Sequence, residues 1–260
     1  FTDGDTASAS VAEGATTVAT YAATDADGSS AHNTVTYSKS GGVDTALFAV
    51  DSSTGALTFS TAPDYDSGSA CDAGNSCVVI LTATSGSLTD TITVTVAITD
   101  INDNTPIFTD GDTASASVAE GATTVATYAA TDADGSSAHN TVTYSKSGGV
   151  DTALFAVDSS TGALTFSTAP DYDSGTACDA GNSCVVELTA SDGTLSDTIT
   201  VTVAITDAND QTPTYSGGDV TPSVAEGTTA VDSFTVVDTD SGDVNTCALG
   251  GADAGSFVCA

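Results

Sequence analysis

The sequence predicts an all-β fold made of tandem immunoglobulin-like antiparallel β-sandwiches with Greek-key topology, joined in a linear array. Three observations predict it. Residues 1–107 and 108–214 are nearly identical blocks, followed by the start of a diverged third copy at 215–260. Apolar residues within a block recur at every second position, and Gly, Ser and Asp turns separate these short runs. We therefore expect two complete domains, 1–107 and 108–214, and an incomplete third, 215–260.

The elements of one block follow in order along the chain. Strands are predicted over 17–24 and 33–40. Residues 47–59 form two further short strands around a Ser-Ser-Thr-Gly turn. Strands over 77–84 and 90–100 complete six or seven strands per sandwich.

Differences between the two blocks predict which way the strand over 77–84 faces. Ile80 in the first block is replaced by Glu187 in the second. Because a sandwich strand alternates between core and solvent, Val79, Leu81 and Ala83 should face the core and position 80 should face water.

The charge of the chain excludes several kinds of partner. It has 35 acidic residues and two basic ones, Lys39 and Lys146, for a net charge of −33. Nucleic acids and anionic membranes need basic patches, so we expect neither as a partner. Adaptation to a salty medium is an alternative explanation of the acidity, but it predicts scattered acids rather than acids at recurring motifs. We expect both lysines to be surface residues.

Each block and the third copy contain two cysteines. This even count favours three disulfides inside the domains, pairing Cys71 with Cys77, Cys178 with Cys184, and Cys247 with Cys259, and an extracellular location. A structural zinc site is the weaker alternative, because no C-x-x-C pair is present. No segment is long and apolar enough to span a membrane, and we expect the chain to be a piece of a longer protein.

Acidic motifs recur in order and at fixed separations in both blocks. They are VAEG at 11–14 and 118–121, DAD at 25–27 and 132–134, PDYD at 63–66 and 170–173, and DINDN at 100–104 or DANDQ at 207–211. The third copy has VAEG at 224–227 and DTD at 238–240. Asp and Asn also favour turns without any metal. Carboxylates from several segments, however, exceed what turns need and indicate calcium, which prefers six to eight oxygen ligands.

With these motifs the chain resembles the cadherin family. The resemblance covers both full blocks and implies three calcium ions at each complete junction between domains. For the first junction it implies these ligands: Glu13, Asp64, Asp66, Asp100, Asn102, Asp103, Asp132, Asp134 and Asp192, with backbone carbonyls of Ile101, Asn104 and Asn140.

The same resemblance implies a second junction and part of another. The second would use Glu120, Asp171, Asp173, Asp207, Ala208, Asn209, Asp210, Gln211, Asp238, Asp240 and Asn245. There Gln211 replaces Asn104 of the first junction, with little loss if the position offers only its carbonyl. Asp25, Asp27 and Asn33 would meet a domain upstream, in a junction that has Ser85 in place of Asp192 and should bind its outermost ion more weakly.

The first junction contains eight carboxylates, which three calcium ions would offset with six positive charges. Without metal, neighbouring unit charges repel by about 1 kcal/mol per pair even in bulk water. We therefore expect calcium to turn the array into a stiff extracellular rod that serves as a structural stalk, filament or adhesin. Its partners would be calcium and identical chains or a surface ligand. The homogeneous repeats favour a microbial cell surface.

An alternative function is ligand recognition, for example of carbohydrate, or a spacer within a larger secreted enzyme. We expect no catalysis in this chain, because no nucleophile recurs beside His32 or His139, which we expect to be solvated loop residues. No Gly-x-Ser-x-Gly element is present either.

Overall fold

A computed structural model describes residues 1–27, 33–68, 70–175, 177–216, 221–231, 233–240, 244 and 246–254. The chain divides into two compact units. The first consists of Phe1–Ile107, Ala130–Thr143 and Ala190–Asp197, and the second of Phe108–Ala129, Tyr144–Thr189 and Thr198–Ala260. Within the described residues, no helix has the length and apolar character needed to cross a membrane.

Among the described residues of the first block, seven strands form two sheets. The strands are β1 (Thr6–Ala12), β2 (Thr17–Thr20), β3 (Thr36–Gly41), β4 (Phe48–Val50), β5 (Ala56–Phe59), β6 (Ser76–Ser85) and β7 (Leu88–Thr99). One sheet has the order β1-β7-β6-β3 and the other β2-β5-β4. A single 3-10 turn, Thr45–Leu47, leads into β4.

The second block repeats this pattern, and the remaining strands form two additional short pairs. The strands that follow β7 are β8 (Ile107–Phe108), β9 (Thr113–Ala119), β10 (Thr124–Thr127), β11 (Ala130–Thr131), β12 (Thr143–Gly148), β13 (Phe155–Val157), β14 (Ala163–Phe166), β15 (Ser183–Ser191), β16 (Ser196–Thr206), β17 (Thr214–Ser216) and β18 (Thr235–Val237), with a 3-10 turn at Thr152–Leu154. The sheet orders are β9-β16-β15-β12 and β10-β14-β13, with two-stranded pairs β8-β11 and β17-β18. The predicted β-sandwich fold is confirmed.

The first strand of each sandwich runs parallel to the last. β1 pairs with β7 from Thr6 opposite Thr93 to Ala12 opposite Thr99, and β9 pairs with β16 in the same way. The pairs β3-β6, β6-β7, β2-β5 and β4-β5 are antiparallel, as predicted. Because the entry and exit strands point the same way, the chain enters a sandwich at one end and leaves it at the other.

The core of the first sandwich lies between its two sheets. In β6, Val79 and Leu81 are 0% exposed and Ala83 is 5% exposed, while Ile80 is half-buried on the outer face. At the position of Ile80 in the second block, the Glu187 carboxylate accepts a hydrogen bond of 3.0 Å from the Ser147 hydroxyl. The predicted facing of this strand is therefore confirmed.

Two of the predicted disulfides are present, Cys71–Cys77 and Cys178–Cys184. Each joins a tight turn to the second residue of the sixth strand of its sandwich. Cys259, the expected partner of Cys247, lies outside the described residues.

A buried carboxylate fastens this disulfide loop to the 3-10 turn. Asp44 is 3% exposed and accepts hydrogen bonds from the backbone N–H groups of Asp72 (2.8 Å) and Val78 (2.7 Å), which flank the two cysteines. Lys39, predicted as a surface residue, donates from Nζ to the carbonyls of Thr45 and Phe48 at the ends of the same turn. The second block repeats these contacts with Asp151 and Lys146.

Candidate metal centres

Carboxylates from separate segments of the first unit converge on one region, which we call the first acidic cluster. Ligand atoms of three groups of acids approach within 4.8 Å of one another. The groups are Glu13 with Asp64 and Asp66, Asp66 with Asp100 and Asp134, and Asp132 with Asp134 and Asp192. The structure thus brings together seven of the eight carboxylates predicted for this site, and the eighth, Asp103, contacts the cluster through Asn104.

Glu13 joins two of the contributing segments. It follows β1 directly and is only 5% exposed. One carboxylate oxygen accepts from the Tyr65 N–H at 2.7 Å, and the other from the Ile101 N–H at 2.9 Å. The glutamate therefore fixes the PDYD loop beside the segment that leaves β7, and this fixed position holds Asp64, Asp66 and Asp100 close together.

Asn104 connects three aspartates of the cluster. Its side-chain amide donates to Asp66 Oδ2 at 2.6 Å, Asp134 Oδ1 at 3.0 Å and Asp103 Oδ1 at 3.1 Å, and its backbone N–H donates to Asp134 at 3.1 Å. The family resemblance implied only a backbone carbonyl for this residue. Sequence alone could not find this role, because the three acceptors lie in different segments.

The loop after Asp134 also faces the cluster. The Asn140 amide donates to the Asp134 carbonyl at 2.9 Å. His139, expected to be a solvated loop residue, lies with Nδ1 2.8 Å from Asp100 Oδ2, and the Ser136 N–H donates to the same oxygen at 3.2 Å. Asn102 hydrogen-bonds to Asp192 through its side chain. All residues expected from the resemblance at this site therefore lie in or beside the cluster.

The electrostatics of the cluster reflect crowded negative charge. Burial raises the pKa of Asp66, and the nearby carboxylates Glu13, Asp100 and Asp134 raise it further. Burial likewise raises the pKa of Asp132, and the negative charges of Asp134 and Asp192 raise it further. Burial also acts to raise the pKa of Asp100, but hydrogen bonds from Ser136 and His139 outweigh it and hold that pKa below its ordinary value.

Several buried oxygens of the cluster have no hydrogen-bond donor among the described residues. They are Asp100 Oδ1, Asn102 Oδ1, Asp132 Oδ2, Asp134 Oδ2 and Asp192 Oδ2. Buried acceptors are normally paired, and an isolated buried carboxylate oxygen is unfavourable. A hard divalent cation would satisfy such oxygens, so this donor set fits calcium.

The second unit contains an equivalent group, which we call the second acidic cluster. Ligand atoms of Glu120, Asp171 and Asp173 approach within 4.8 Å. Glu120 accepts from the N–H groups of Tyr172 at 2.6 Å and Ala208 at 2.9 Å, as Glu13 does in the first cluster. Asp240 is 7% exposed, and its backbone N–H donates to Asp238 at 3.2 Å.

The second cluster differs at Gln211. Its backbone N–H donates to Asp240 as that of Asn104 does to Asp134, but its side-chain amide donates to Asp210, at 2.7 Å. Burial, followed by repulsion from Glu120, Asp240 and Asp207, raises the pKa of Asp173 to about 6. Asn209 is exposed in the segment between Asp207 and Asp210, and Asn245 lies outside the described residues.

The residues expected to meet an upstream domain are placed differently. The Asp27 N–H donates to Asp25 at 2.9 Å, which is the turn hydrogen bond also made between Asp134 and Asp132. Asp27 and Asn33 are exposed, whereas Asp134, the equivalent of Asp27 in the second block, is 2% exposed. The burial of Asp134 therefore comes from the segments that surround it in the first cluster.

Comparisons with known proteins agree with this architecture. The family model described as "Cadherin domain" matches residues 7–99 and 114–206, together more than half of the chain. Protocadherin Fat 1 of Homo sapiens is 35% identical over 163 residues, covering 60% of this chain and 3% of that protein. Cadherin EGF LAG seven-pass G-type receptor 2 of Mus musculus is 34% identical over 162 residues, covering 60% and 5%. The chain thus spans a small part of these relatives.

Solved structures show the same fold. Mouse Cadherin-23 EC22-24 matches with a TM-score of 0.68 and 25% identity, covering 90% of this chain and 75% of that one. Human CDH23 EC21-23 matches with a TM-score of 0.67 and 23% identity, covering 91% and 84%. Together with the two family-model matches, these findings show that the chain belongs to the cadherin family.

Proposed function

We propose that this chain is a calcium-rigidified part of an extracellular rod that serves as a structural stalk, filament or adhesin on a cell surface. The observation that carries the proposal is a set of buried oxygens in the first acidic cluster, from both sequence blocks, that have no hydrogen-bond donor within the part of the chain that the structure describes. The two disulfides and the cadherin relatives support an extracellular location. Identical chains or a surface ligand would be the adhesive partner.

The composition of the first cluster supports a role for metal in linking successive blocks. Glu13, Asp66 and Asp100 come from block one, while Asp134 and Asp192 come from block two. We propose that these residues, with the other carboxylates assigned above, hold three calcium ions. The bound cations would supply positive charge that offsets carboxylate repulsion. Glu13 and Asn104 hold the acidic segments in place for this purpose.

The domain limits 1–107, 108–214 and 215–260 belong to the same proposal. Each complete domain would be one sandwich, and the acids that leave its last strand would work with acids from the block that follows. No catalytic step is needed for such a role, and we propose that the chain is not an enzyme.

Small-angle scattering of the chain in millimolar calcium and in excess chelator tests the proposal. We expect a larger maximum dimension in calcium, because neutralised carboxylates no longer repel. Asp134→Ala should raise the calcium concentration at the midpoint of this change by about 10-fold or more, since it removes a charged ligand. Circular dichroism of the variant should show sandwiches that remain folded.

The chain supplies a matched control for this experiment. Asp27→Ala makes the same change at the equivalent position of block one, where the side chain is exposed. It should leave the midpoint unchanged. Scattering profiles that are identical with calcium and with chelator would rule out calcium-dependent stiffening.

A further inference from the structure

His139 contacts Asp100 in the first cluster, and the sequence of the third copy has no histidine in the equivalent loop. Its Nδ1 lies 2.8 Å from Asp100 Oδ2, and the side chains of His139 and Asp100 are 31% and 6% exposed. At the corresponding place before Asn245, the third copy has Val244, which is 86% exposed and has no hydrogen-bonding side chain. The histidine therefore distinguishes the two clusters. Its block-one equivalent, His32, lies outside the described residues.

The two oxygens of Asp100 have different surroundings. Oδ2 is contacted by His139 Nδ1 and by the Ser136 N–H at 3.2 Å. Oδ1 is buried and has no donor among the described residues. An ionised carboxylate only accepts hydrogen bonds, so His139 Nδ1 carries the proton in this contact. One oxygen is thus held by the protein, and the other is left for a cation.

The backbone of the loop fixes the position of the imidazole. The N–H groups of His139 and Asn140 both donate to the Ser136 carbonyl, at 3.1 and 3.0 Å. The Asn140 side chain donates to the Asp134 carbonyl at 2.9 Å, and the Thr141 hydroxyl to the Ser137 carbonyl at 2.8 Å. These bonds close the loop, so little ordering is needed to keep the ring against Asp100.

We propose that His139 is a positioning residue of the first cluster, which orients the Asp100 carboxylate for calcium by donating a hydrogen bond from Nδ1 to Oδ2. This inference rests on the proposed calcium function of the cluster. Partners of this kind restrict the orientation of a ligand, and their loss typically weakens metal binding by about 10-fold or more.

Calcium titration of the full chain by calorimetry tests this inference. The second cluster is disabled by Asp173→Asn and Asp240→Asn, so the heat comes from the first. In that background, His139→Val copies the residue of the third copy and should weaken binding by about 10-fold. His139→Gln keeps a side-chain donor and should restore binding to within about 3-fold of the histidine protein.

A second readout separates positioning from a general effect on folding. The nitrogen NMR signals of His139 in the calcium-loaded protein should show a proton on Nδ1. Circular dichroism in chelator should show the same folded β-structure for His139→Val and for the background protein. If His139→Val binds calcium as tightly as the background protein does, the inference is wrong while the calcium function stands. If the background protein binds no calcium at all, both are wrong.

Discussion

At the scale of residues, the two acidic clusters differ in the amide side chain at position 104 or 211. Asn104 donates to Asp66 and Asp134, which carry adjacent negative charges, whereas the longer Gln211 side chain turns to Asp210. Asp173, the equivalent of Asp66, accordingly lacks this amide donor from position 211. Its pKa rises to about 6 because of burial and its acidic neighbours. Replacement of Asn by a residue with one more methylene therefore changes how well the carboxylates are held without metal.

The raised pKa of Asp173 predicts a pH dependence of the metal-free protein. Between its ordinary pKa of 3.8 and about 6, the folded state binds more protons than the unfolded state. The stabilisation from protonated Asp173 is complete below 3.8 and is lost as the pH rises through about 6. Urea unfolding in chelator should thus show a second unit that is less stable at about pH 7 than at about pH 4.5.

Two variants isolate the contribution of Asp173. Asp173→Asn stays neutral and should reduce this fall in stability. Asp158→Asn is the control of opposite sign. Hydrogen bonds from Thr161 and Ser160 lower the pKa of Asp158, so its ionised carboxylate stabilises the fold at pH values above the ordinary pKa of an aspartate. An Asp173→Asn protein with the full pH dependence of the unmodified chain would contradict the prediction.

At the scale of elements, the disulfide loop and the 3-10 turn depend on one buried carboxylate. Asp44→Ala would leave the Asp72 and Val78 N–H groups without their acceptor, so it should lower the free energy of unfolding by about 2 kcal/mol. Asp151→Ala should have the same effect in the second block. Urea unfolding of the oxidised protein in calcium measures both.

The neighbouring Asp72 provides a control for this prediction. Its side chain is exposed, so Asp72→Ala should change stability by less than about 0.5 kcal/mol. Equal losses for Asp44→Ala and Asp72→Ala would show that the buried hydrogen bonds do not account for the effect.

The sequence predicted those elements that depend on local pattern. Alternation in β6 was predictable because the exchange of Ile80 for Glu187 marks the outer face directly. The acidic cluster was predictable because its motifs recur and resemble those of a known family. Asp44 gave no such signal, since an aspartate before a short turn resembles any turn residue. Its two partners lie 28 and 34 residues away, and only the fold shows that they are neighbours.

The contacts of His139 and Lys39 were not predictable for the same reason. His139 contacts Asp100, which is 39 residues away in the sequence. Lys39 contacts carbonyls of the 3-10 turn, which come within its reach only once that turn has formed. Histidines in loops are usually solvated, so pattern alone favours solvent for His139, whereas Lys39 is exposed on β3 as predicted. Ligand assignments for calcium, the domain limits and the microbial origin stay predictions.

At the scale of the whole molecule, the same construction is used twice. Each cluster combines a glutamate after an entry strand, a PDYD loop and an acidic segment after an exit strand with acids from the following block. The net charge of −33 is thus concentrated partly at positions where cations would be bound. Repetition of one unit with its own acidic residues allows an array to grow without any new interface.

The parallel pairing of β1 with β7 has a mechanical consequence. Pulling on the two ends of a sandwich draws β1 and β7 in opposite directions along their common axis. Their seven residue pairs then carry the shear force together, so the hydrogen bonds cannot break one pair at a time. Single-molecule pulling should therefore show each sandwich resisting until one abrupt rupture, whereas gradual extension at low force would contradict this. A protein built this way transmits tension from one end to the other without lengthening.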